Sequence, residues 1–263
     1  MAIANFDLNL DMDLDNENAN IQRFKSVEGK TMYLLFRNKH DNTNSNSYDL
    51  NIGTQRIKRV QQTKFLGLII DEHLQWAAHI KHVKSKVSSS QYAIRKAKHV
   101  LSTSQLKTLY YSMVHSHLEY GLLLWGAALK TYLKPLEIIQ RKSIRLIANS
   151  NYNANTKPLF KEFNILTLCD LYTLHISKFM FEFHHKTLPK SLSNIFISNH
   201  DIHNYNTRHR DDPHILHRRT AFAGQSLLHQ GPKIWNETSR EIKDSKNVHT
   251  FSRKIKKTLT TLY

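Results

Sequence analysis

Acidic side chains raise the first chemical possibility, catalysis with two metal ions. That chemistry needs carboxylates held close together on a rigid support. The only adjacent aspartates are Asp211 and Asp212, which lie in an irregular basic stretch directly before Pro213. No strand-turn-strand pattern surrounds them that would present both carboxylates to a metal. The sequence therefore predicts no catalytic carboxylate pair.

Alternating aspartates near the N-terminus raise a second possibility, a calcium loop. Asp11, Asp13 and Asp15 occupy the spacing of its first three ligands. The sixth position of such a loop needs glycine and the twelfth needs glutamate, but here these positions hold Asn16 and Gln22. We interpret this region as a solvated acidic leader.

Histidines number 17 and raise a third possibility, a zinc site. Three pairs are separated by two residues: His79/His82, His200/His203 and His214/His217. Structural zinc sites usually add thiolates, but the chain has one cysteine, Cys169, in an apolar stretch. We predict that Cys169 is a small core residue. No metal site and no bound cofactor are predicted for this chain.

Basic residues are the stronger lead. The net charge is +17. Residues 1–50 hold eight acids and five bases, whereas the remainder holds 33 bases and 13 acids, a net of +20. A field of this size favours a polyanion such as the RNA or DNA backbone. The bases are spread along the chain instead of forming one amphipathic segment, which argues against membrane binding.

Six of these bases have helical spacing. They are Lys81, Lys84 and Arg95 on a first helix, and Arg141, Lys142 and Arg145 on a third. At about 100° per residue, the first three fall within roughly 60° of one another. Each set predicts a helix face whose side chains contact phosphates and do not recognise nucleobases. The alternative for any one residue is an ordinary solvated charge.

The apolar pattern changes near Trp76. Before it, Thr31–Phe36, Asp49–Val60 and Lys64–Ile70 are predicted strands. After it, apolar residues recur at spacings of three, four and seven, which predicts three successive amphipathic helices. Ser102 and Gln105 form a capping-box signature at the start of the second helix. The fold class is therefore mostly α with a small N-terminal antiparallel β-sheet.

Further helices are predicted over Leu168–His185, Ala221–Leu228 and Val248–Leu262. Pro135 is placed in the first turn of the third helix, where proline is tolerated, and Gly231-Pro232 is predicted to break the chain. No run of about 18 apolar residues occurs and no base precedes the first apolar residues. We expect an intracellular protein, nuclear or cytoplasmic, that is not secreted.

Six short motifs occur in order along the chain. They are Lys30-Thr31-Met32-Tyr33-Leu34-Leu35-Phe36; Lys64-Phe65-Leu66-Gly67-Leu68-Ile69-Ile70-Asp71 followed by Leu74, Trp76, His79 and Ile80; Tyr120-Gly121 with Trp125-Gly126; Gln140-Arg141-Lys142 through Arg145-Leu146-Ile147; Asn204-Tyr205-Asn206-Thr207-Arg208; and Gly231-Pro232-Lys233-Ile234-Trp235-Asn236. Together they resemble the C-terminal part of non-LTR retrotransposon reverse transcriptases of the jockey type, from the end of the palm onward.

The resemblance implies roles for particular residues. Phe65, Leu66 and Gly67 would form the primer-grip hairpin, which holds the primer end, and glycine there lets a backbone approach a ligand closely. Lys30 would match a palm lysine for which a proton-donor role has been proposed. The helices that follow would form a thumb along the nucleic-acid backbone, and magnesium is expected only in the complete family enzyme.

The resemblance also implies what is missing. The family's catalytic motif, an aromatic residue, any residue and then two aspartates, does not occur before Lys30. We expect a fragment that is inactive by itself and lacks fingers and most of the palm. Its expected regions are an acidic disordered leader (1–29), a palm remnant (30–72), a thumb-like bundle (73–150) and a basic helical region (151–263). The alternatives are a non-catalytic nucleic-acid-binding module and a helical protein-interaction remnant.

Overall fold

The computed structural model describes residues 31–37, 50–52, 55–202, 205, 210–217, 221–261 and 263. Lys30, the expected leader, and the motif around Asn204 except Tyr205 lie outside these residues. The chain divides into two compact units, Met1–His79 and Ile80–Tyr263. Each unit is described by itself below.

Short strands make up the described part of the first unit. They are β1 (Met32–Leu34), β2 (Asn51–Ile52), β3 (Gln55–Arg56), β4 (Lys58–Val60), β5 (Gln62–Phe65) and β6 (Leu68–Asp71). They pair as β1–β4, β2–β3 and β5–β6. A mostly helical fold with a small N-terminal β component is thus confirmed. The expectation of purely antiparallel pairing is wrong for β1–β4, which is parallel, because the long connection over residues 35–57 allows a crossover.

The segment Lys64–Ile70 contains a hairpin. Its apolar pattern predicted a single strand, whereas the family resemblance implied a hairpin at Phe65-Leu66-Gly67. Its turn residues Leu66 and Gly67 have φ of 45° and 83°. Two successive residues with positive φ are the requirement of a tight two-residue hairpin whose twist matches that of its strands. The apolar composition of the segment concealed this turn, which a single glycine marks.

Helices build the second unit. They are α1 (Ala77–Ala97, entered from the first unit), α2 (Thr103–Leu109), α3 (Ser116–Glu119), α4 (Leu122–Trp125), α5 (Lys130–Ile147), α6 (Lys157–Phe163), α7 (Leu168–His184), α8 (Asn199–Ile202), α9 (Ala221–Gln225), α10 (Leu227–Glu237), α11 (Arg240–Lys243) and α12 (Val248–Thr261). A π-helical segment, Tyr110–His115, joins α2 to α3, and a 3₁₀ turn spans Lys190–Leu192.

The predicted capping box is present at α2. Ser102 accepts from the Gln105 amide while the Gln105 side chain accepts from the Ser102 amide. Leu106, Tyr110, Val114 and Leu118 are all buried, although a spacing of four drifts by about 40° per turn on a regular α-helix. The π-helical segment winds more slowly and therefore keeps these four side chains on one face.

Both expectations for prolines are wrong. Helix α5 begins at Lys130, so Pro135 lies inside it. Helix α10 likewise runs through Pro232 without a break. Each proline is the sixth residue of its helix, and each therefore removes one backbone hydrogen bond. Helix α10 packs closely against α7, since a Cβ on Gly231 would lie 2.8 Å from the Met180 sulfur, and this packing favours a continuous helix.

An apolar cluster joins α7, α10 and α12. Its buried members are Ile176, Met180, Phe181, Trp235, Phe251 and Ile255. The rings of Phe181 and Phe251 lie 4.6 Å apart between centroids. Trp235 is a buried member of this cluster and Ile234 packs against it, so the Ile-Trp part of the last motif serves helix packing.

A buried polar group connects α5 to its neighbours. Gln140 is 1% exposed, and its amide nitrogen donates to the Tyr110 hydroxyl (2.9 Å) and the Leu166 carbonyl (3.0 Å). Its amide oxygen accepts from the Leu168 backbone amide at 2.9 Å. One side chain therefore satisfies polar groups from the π-helical segment, the α6–α7 connection and the start of α7.

Replacing Gln140 by leucine should destabilise the second unit by roughly 2–4 kcal/mol, since each buried polar group left without a partner costs about 1–3 kcal/mol. Urea unfolding followed by circular dichroism measures the change. The control is Thr131→Ala, an exposed substitution on the same helix, which should change stability by less than about 0.5 kcal/mol. Equal stability of the two variants would refute the proposed role of Gln140.

Candidate nucleic-acid interface

The primer-grip-like residues lie at the tip of the β5–β6 hairpin. Leu66 is 55% exposed and adopts a left-handed backbone, a conformation that costs a branched residue about 1 kcal/mol. Phe65 closes the ladder opposite Leu68, which is buried. The structure thus presents Leu66 and Gly67 at the surface and anchors the strands beside them. Whether this tip contacts a primer remains a prediction.

The rest of that motif has a structural explanation. The Asp71 carboxylate accepts from the backbone amides of Gln75 (3.0 Å) and Trp76 (2.8 Å). These bonds hold a turn in which Leu74 and Trp76 have positive φ. His79 accepts from the Ile69 amide at 3.3 Å. The motif therefore stabilises the connection between the hairpin and α1. These contacts give its residues a structural role.

A buried carboxylate and its cationic neighbours form an ionic network in the first unit. Glu72 is 6% exposed, and its carboxylate contacts Arg37 (3.0 Å), Arg59 (3.1 Å) and His73 (3.6 Å). Burial by itself raises the pKa of Glu72, but hydrogen bonds from Arg37 and Arg59, together with the charges of Arg37 and His73, lower it overall. Arg37 also donates its backbone amide to the Glu72 carbonyl, so the network crosslinks residues 35 positions apart.

The exposed side of α1 carries five basic residues. Lys81, Lys84, Lys86, Arg95 and Lys96 are exposed, whereas Ile80, Val83, Val87 and Ile94 are buried on the other side. Between Glu72 and Glu119 the sequence contains seven lysines and arginines and no acid. The three α1 bases predicted from spacing therefore do share one face, and no carboxylate from this stretch neutralises them.

Two exposed tyrosines lie beside basic residues, one on α1 and the other near α5. Tyr92 is 53% exposed, with the Arg95 guanidinium 5.3 Å and the Lys96 ammonium 5.7 Å from its ring centroid. Tyr152 is 72% exposed, and the Lys142 ammonium lies 5.8 Å from its ring. These contacts are of the cation–π type, which keeps each charge beside an exposed ring.

Tyr92 lies in α1 and Tyr152 follows α5, and the C-terminal ends of these two helices meet. Just beyond α1, the Lys98 ammonium lies 3.5 Å from the Asn149 side-chain oxygen, just beyond α5. We name this region the basic–tyrosine surface, and define it as Tyr92, Arg95, Lys96, Lys98, Lys142 and Tyr152. Spacing on one helix identified Arg95 and Lys142 but did not show that the ends of their helices meet, since the two helices are far apart in sequence.

The other two predicted α5 bases have different surroundings. Arg141 pairs with Glu137 at 3.1 Å on the flank of α5. Arg145 donates its Nε proton to the Ala154 carbonyl at 2.8 Å and thereby holds the loop that follows α5. The structure therefore separates the set Arg141, Lys142 and Arg145, of which Lys142 alone belongs to the basic–tyrosine surface.

The Tyr-Gly and Trp-Gly motif is also structural. Gly121 has a φ of 63° at the start of α4, and the buried Trp125 indole donates to the Tyr120 carbonyl at 2.9 Å. A Cβ on Gly126 would lie 2.3 Å from the Tyr172 ring. Both glycines are thus required by backbone conformation or by close packing.

Among the residues that the structure describes, those considered for metal chemistry do not come together. Within the described ranges, His, Cys, Asp and Glu side chains nowhere gather in a group of three that would hold a metal ion. Asp212 lies 3.9 Å from the Lys243 ammonium, and its neighbour Asp211 is exposed. Cys169, predicted in the core, is instead exposed, because its position on α7 faces away from the buried Leu168 and Leu171.

Comparison with known proteins shows similarity to RNA-directed DNA polymerases of mobile elements, which confirms the resemblance noted in the sequence. In Drosophila melanogaster these include the probable polymerase from transposon X-element, with 24% identity over 135 residues, and that from mobile element jockey, with 26% over 151. The probable polymerase from transposon BS has 24% identity over 136 residues.

These matches cover 49–55% of this chain but only 15–16% of each relative. No family model matches the chain, and comparison with solved structures finds no significant match. In the part of the chain that the structure describes, no helix has both the length and the hydropathy needed to cross a bilayer.

Replacing Glu72 by glutamine should destabilise the first unit by about 1–3 kcal/mol at pH 7, because charge-assisted hydrogen bonds to two arginines are weakened. The pKa of Glu72 is lowered from 4.5, so its contribution is complete above that pH and is lost as the pH falls through the lower folded-state value. The difference between the two proteins should therefore shrink in acid.

Fluorine NMR of 5-fluorotryptophan-labelled protein can measure this, since Trp76 is the tryptophan of the first unit. Its resonance is followed through urea unfolding at several pH values. Lys64→Gln, an exposed change of charge on β5, is the control and should leave the unfolding midpoint nearly unchanged. A Glu72→Gln effect that is as large at pH 3 as at pH 7 would contradict the ionic explanation.

Proposed function

We propose that this chain is the portion of a mobile-element reverse transcriptase that runs from the end of the catalytic palm onward, and that it binds the backbone of RNA or DNA. The observation that carries the proposal is the exposed, acid-free basic face of α1, continued by the basic–tyrosine surface. The similarity to three mobile-element polymerases supports the same conclusion. The palm and fingers of a longer product would be its natural protein partners.

Electrostatics supports a backbone interaction. Lysine and arginine side chains on a helix face neutralise phosphates and release condensed counterions, which supplies affinity without sequence specificity. The proposed contact set is Lys81, Lys84, Arg95 and Lys142, and its binding needs no metal or cofactor. We expect such a protein to act inside the cell, in the nucleus or cytoplasm.

The tyrosines extend the interaction to unpaired bases. An exposed aromatic ring beside cations offers a stacking platform, and such stacking is tolerant of sequence. Tyr92 and Tyr152 are each held beside a cation that can contact the adjacent phosphate. We therefore expect binding where duplex and single strand adjoin, with phosphates along α1 and unpaired bases on the tyrosines.

Replacing Lys81, Lys84 and Arg95 together by alanine should weaken binding to a labelled primer–template duplex. The slope of log affinity against log salt should fall by about three, roughly one for each phosphate contact removed. Fluorescence anisotropy at several potassium chloride concentrations gives both quantities.

The matched control removes the same charge elsewhere, with Lys157, Lys161 and Lys246 replaced by alanine. These residues are exposed and lie outside the proposed contact set. An equal loss in both triple variants would show an effect of net charge alone. Undiminished binding by the α1 variant would refute the interface and favour a helical protein-interaction role.

We also propose that the chain does not polymerise by itself, since it contains no aromatic-x-Asp-Asp motif. In a primer-extension assay with magnesium and deoxynucleotides, purified protein should add nothing above a sample without enzyme. An active reverse transcriptase in a parallel reaction confirms the assay. Extension that follows the protein through purification would overturn this proposal.

A further inference from the structure

A pocket of about 560 Å³ lies in the second unit, and none of its lining residues belongs to the basic–tyrosine surface. Helices α4, α5, α7 and α10 line it, together with the end of α9. Its volume lies within the range of about 300–1,000 Å³ that is usual for small-molecule sites. Neither the six motifs nor the proposed backbone interface assigns it a role.

One wall of the pocket is apolar and holds a fixed aromatic ring. Leu133, Leu168, Ile176 and Ile234 contribute aliphatic surface, and Tyr172 contributes its ring. The ring packs on Gly126, where a Cβ would overlap it, and the Tyr172 hydroxyl donates to the Gln225 carbonyl at 3.1 Å. Tyr172 is therefore held at both ends and offers a preorganised surface to a planar group.

The rim of the pocket is positively charged. Lys130, Lys134 and Arg141 line it along one side of α5, with Glu137 as the acid among them. Glu137 is engaged by Arg141 at 3.1 Å. Lys130 and Lys134 are exposed, and within the described part of the chain neither forms an ion pair or a side-chain hydrogen bond. Two ammonium groups four residues apart thus remain available for an anion.

Polar groups on the opposite side accept hydrogen bonds. Gln230 uses its amide nitrogen to bond the Gly224 carbonyl at 2.6 Å, which leaves its amide oxygen available to a donor. The Cys169 thiol also lines the pocket. Desolvation by the surrounding protein, followed by the charges of Asp170 and Glu137, raises the pKa of this thiol, so it is mainly protonated near neutral pH and reacts slowly with alkylating reagents through its minor thiolate form.

We propose that this pocket binds a nucleoside phosphate, with the phosphate on Lys130 and Lys134 and the base against Tyr172. The cationic rim selects an anion, and the aromatic and aliphatic wall favours a planar apolar body over a bare phosphate. The amide oxygen of Gln230 suits a base that carries an exocyclic amino group. The ligand is either a free mononucleotide or the phosphorylated terminal nucleotide of a strand.

This site is separate from the proposed backbone interface. Its residues include none of Lys81, Lys84, Arg95 or Lys142, so its test does not depend on duplex binding. If the pocket binds no nucleotide, the salt dependence of duplex binding is still expected. If the α1 face does not bind duplex, nucleotide binding in the pocket is still expected.

The single cysteine provides the assay. Because Cys169 lines the pocket and is exposed, its alkylation by iodoacetamide, followed by mass spectrometry, reports occupancy in the native protein. Adenosine 5′-monophosphate should slow alkylation several-fold with saturation. Adenosine and inorganic phosphate at equal concentration should protect far less, since each supplies only half of the interaction.

Replacing Lys130 and Lys134 together by alanine should raise the adenosine monophosphate concentration needed for half-protection by about tenfold or more, because both ammonium groups that would bind the phosphate are removed. Lys157→Ala with Lys161→Ala is the matched control, because it removes two exposed lysines with the same spacing on α6. Its half-protection concentration should match that of the unchanged protein.

Two oligonucleotides distinguish the sources of the ligand. A short single strand with a 5′-phosphate that protects Cys169 better than its 5′-hydroxyl counterpart identifies a strand terminus, whereas protection by the mononucleotide alone identifies a free ligand. The proposal would be overturned if inorganic phosphate protected Cys169 as strongly as adenosine monophosphate does. It would also be overturned if no nucleotide tested protected Cys169. If the Lys157/Lys161 control lost as much protection of Cys169 as the Lys130/Lys134 variant, the proposed role of the rim lysines would be refuted.

Discussion

The buried amide of Gln140 is the constraint on which the second unit depends. It joins three segments through three hydrogen bonds, and no apolar side chain could replace it without leaving at least two backbone groups unsatisfied. By fixing α5 relative to α7, it also determines where the remaining faces of α5 point. One of these faces then carries the rim of the pocket, and another carries Lys142 toward Tyr152.

Charge has a different distribution in the two units. In the first unit a buried carboxylate, Glu72, is surrounded by arginines and serves the fold. In the second unit the bases of α1 have no acids within the same stretch of sequence, so their field extends into solvent. This difference separates bases that stabilise structure from bases that remain available to a polyanion. Arg145 shows that the distinction needs coordinates, because its helical spacing favoured binding although its guanidinium holds a loop.

Several expectations could be derived from the sequence because they depend on local physics. The capping box at Ser102, the apolar stripe of α1 and the exposed bases Lys81, Lys84 and Arg95 all follow from helical periodicity. The hairpin at Leu66 and the continuous helices through Pro135 and Pro232 could not be derived in the same way. In each case a local propensity was outweighed by strand pairing or by packing against another helix.

The sequence by itself determined the mostly helical class, the excess of positive charge and the resemblance to mobile-element polymerases, since composition, periodicity and ordered motifs are properties of the chain alone. Only the tertiary structure decided which bases share a surface, which glycines and tryptophans serve packing, and that α5 and α7 enclose a pocket lined by Cys169. Those features depend on residues brought together from distant positions, and the geometry of such contacts is decided by the packing of whole helices.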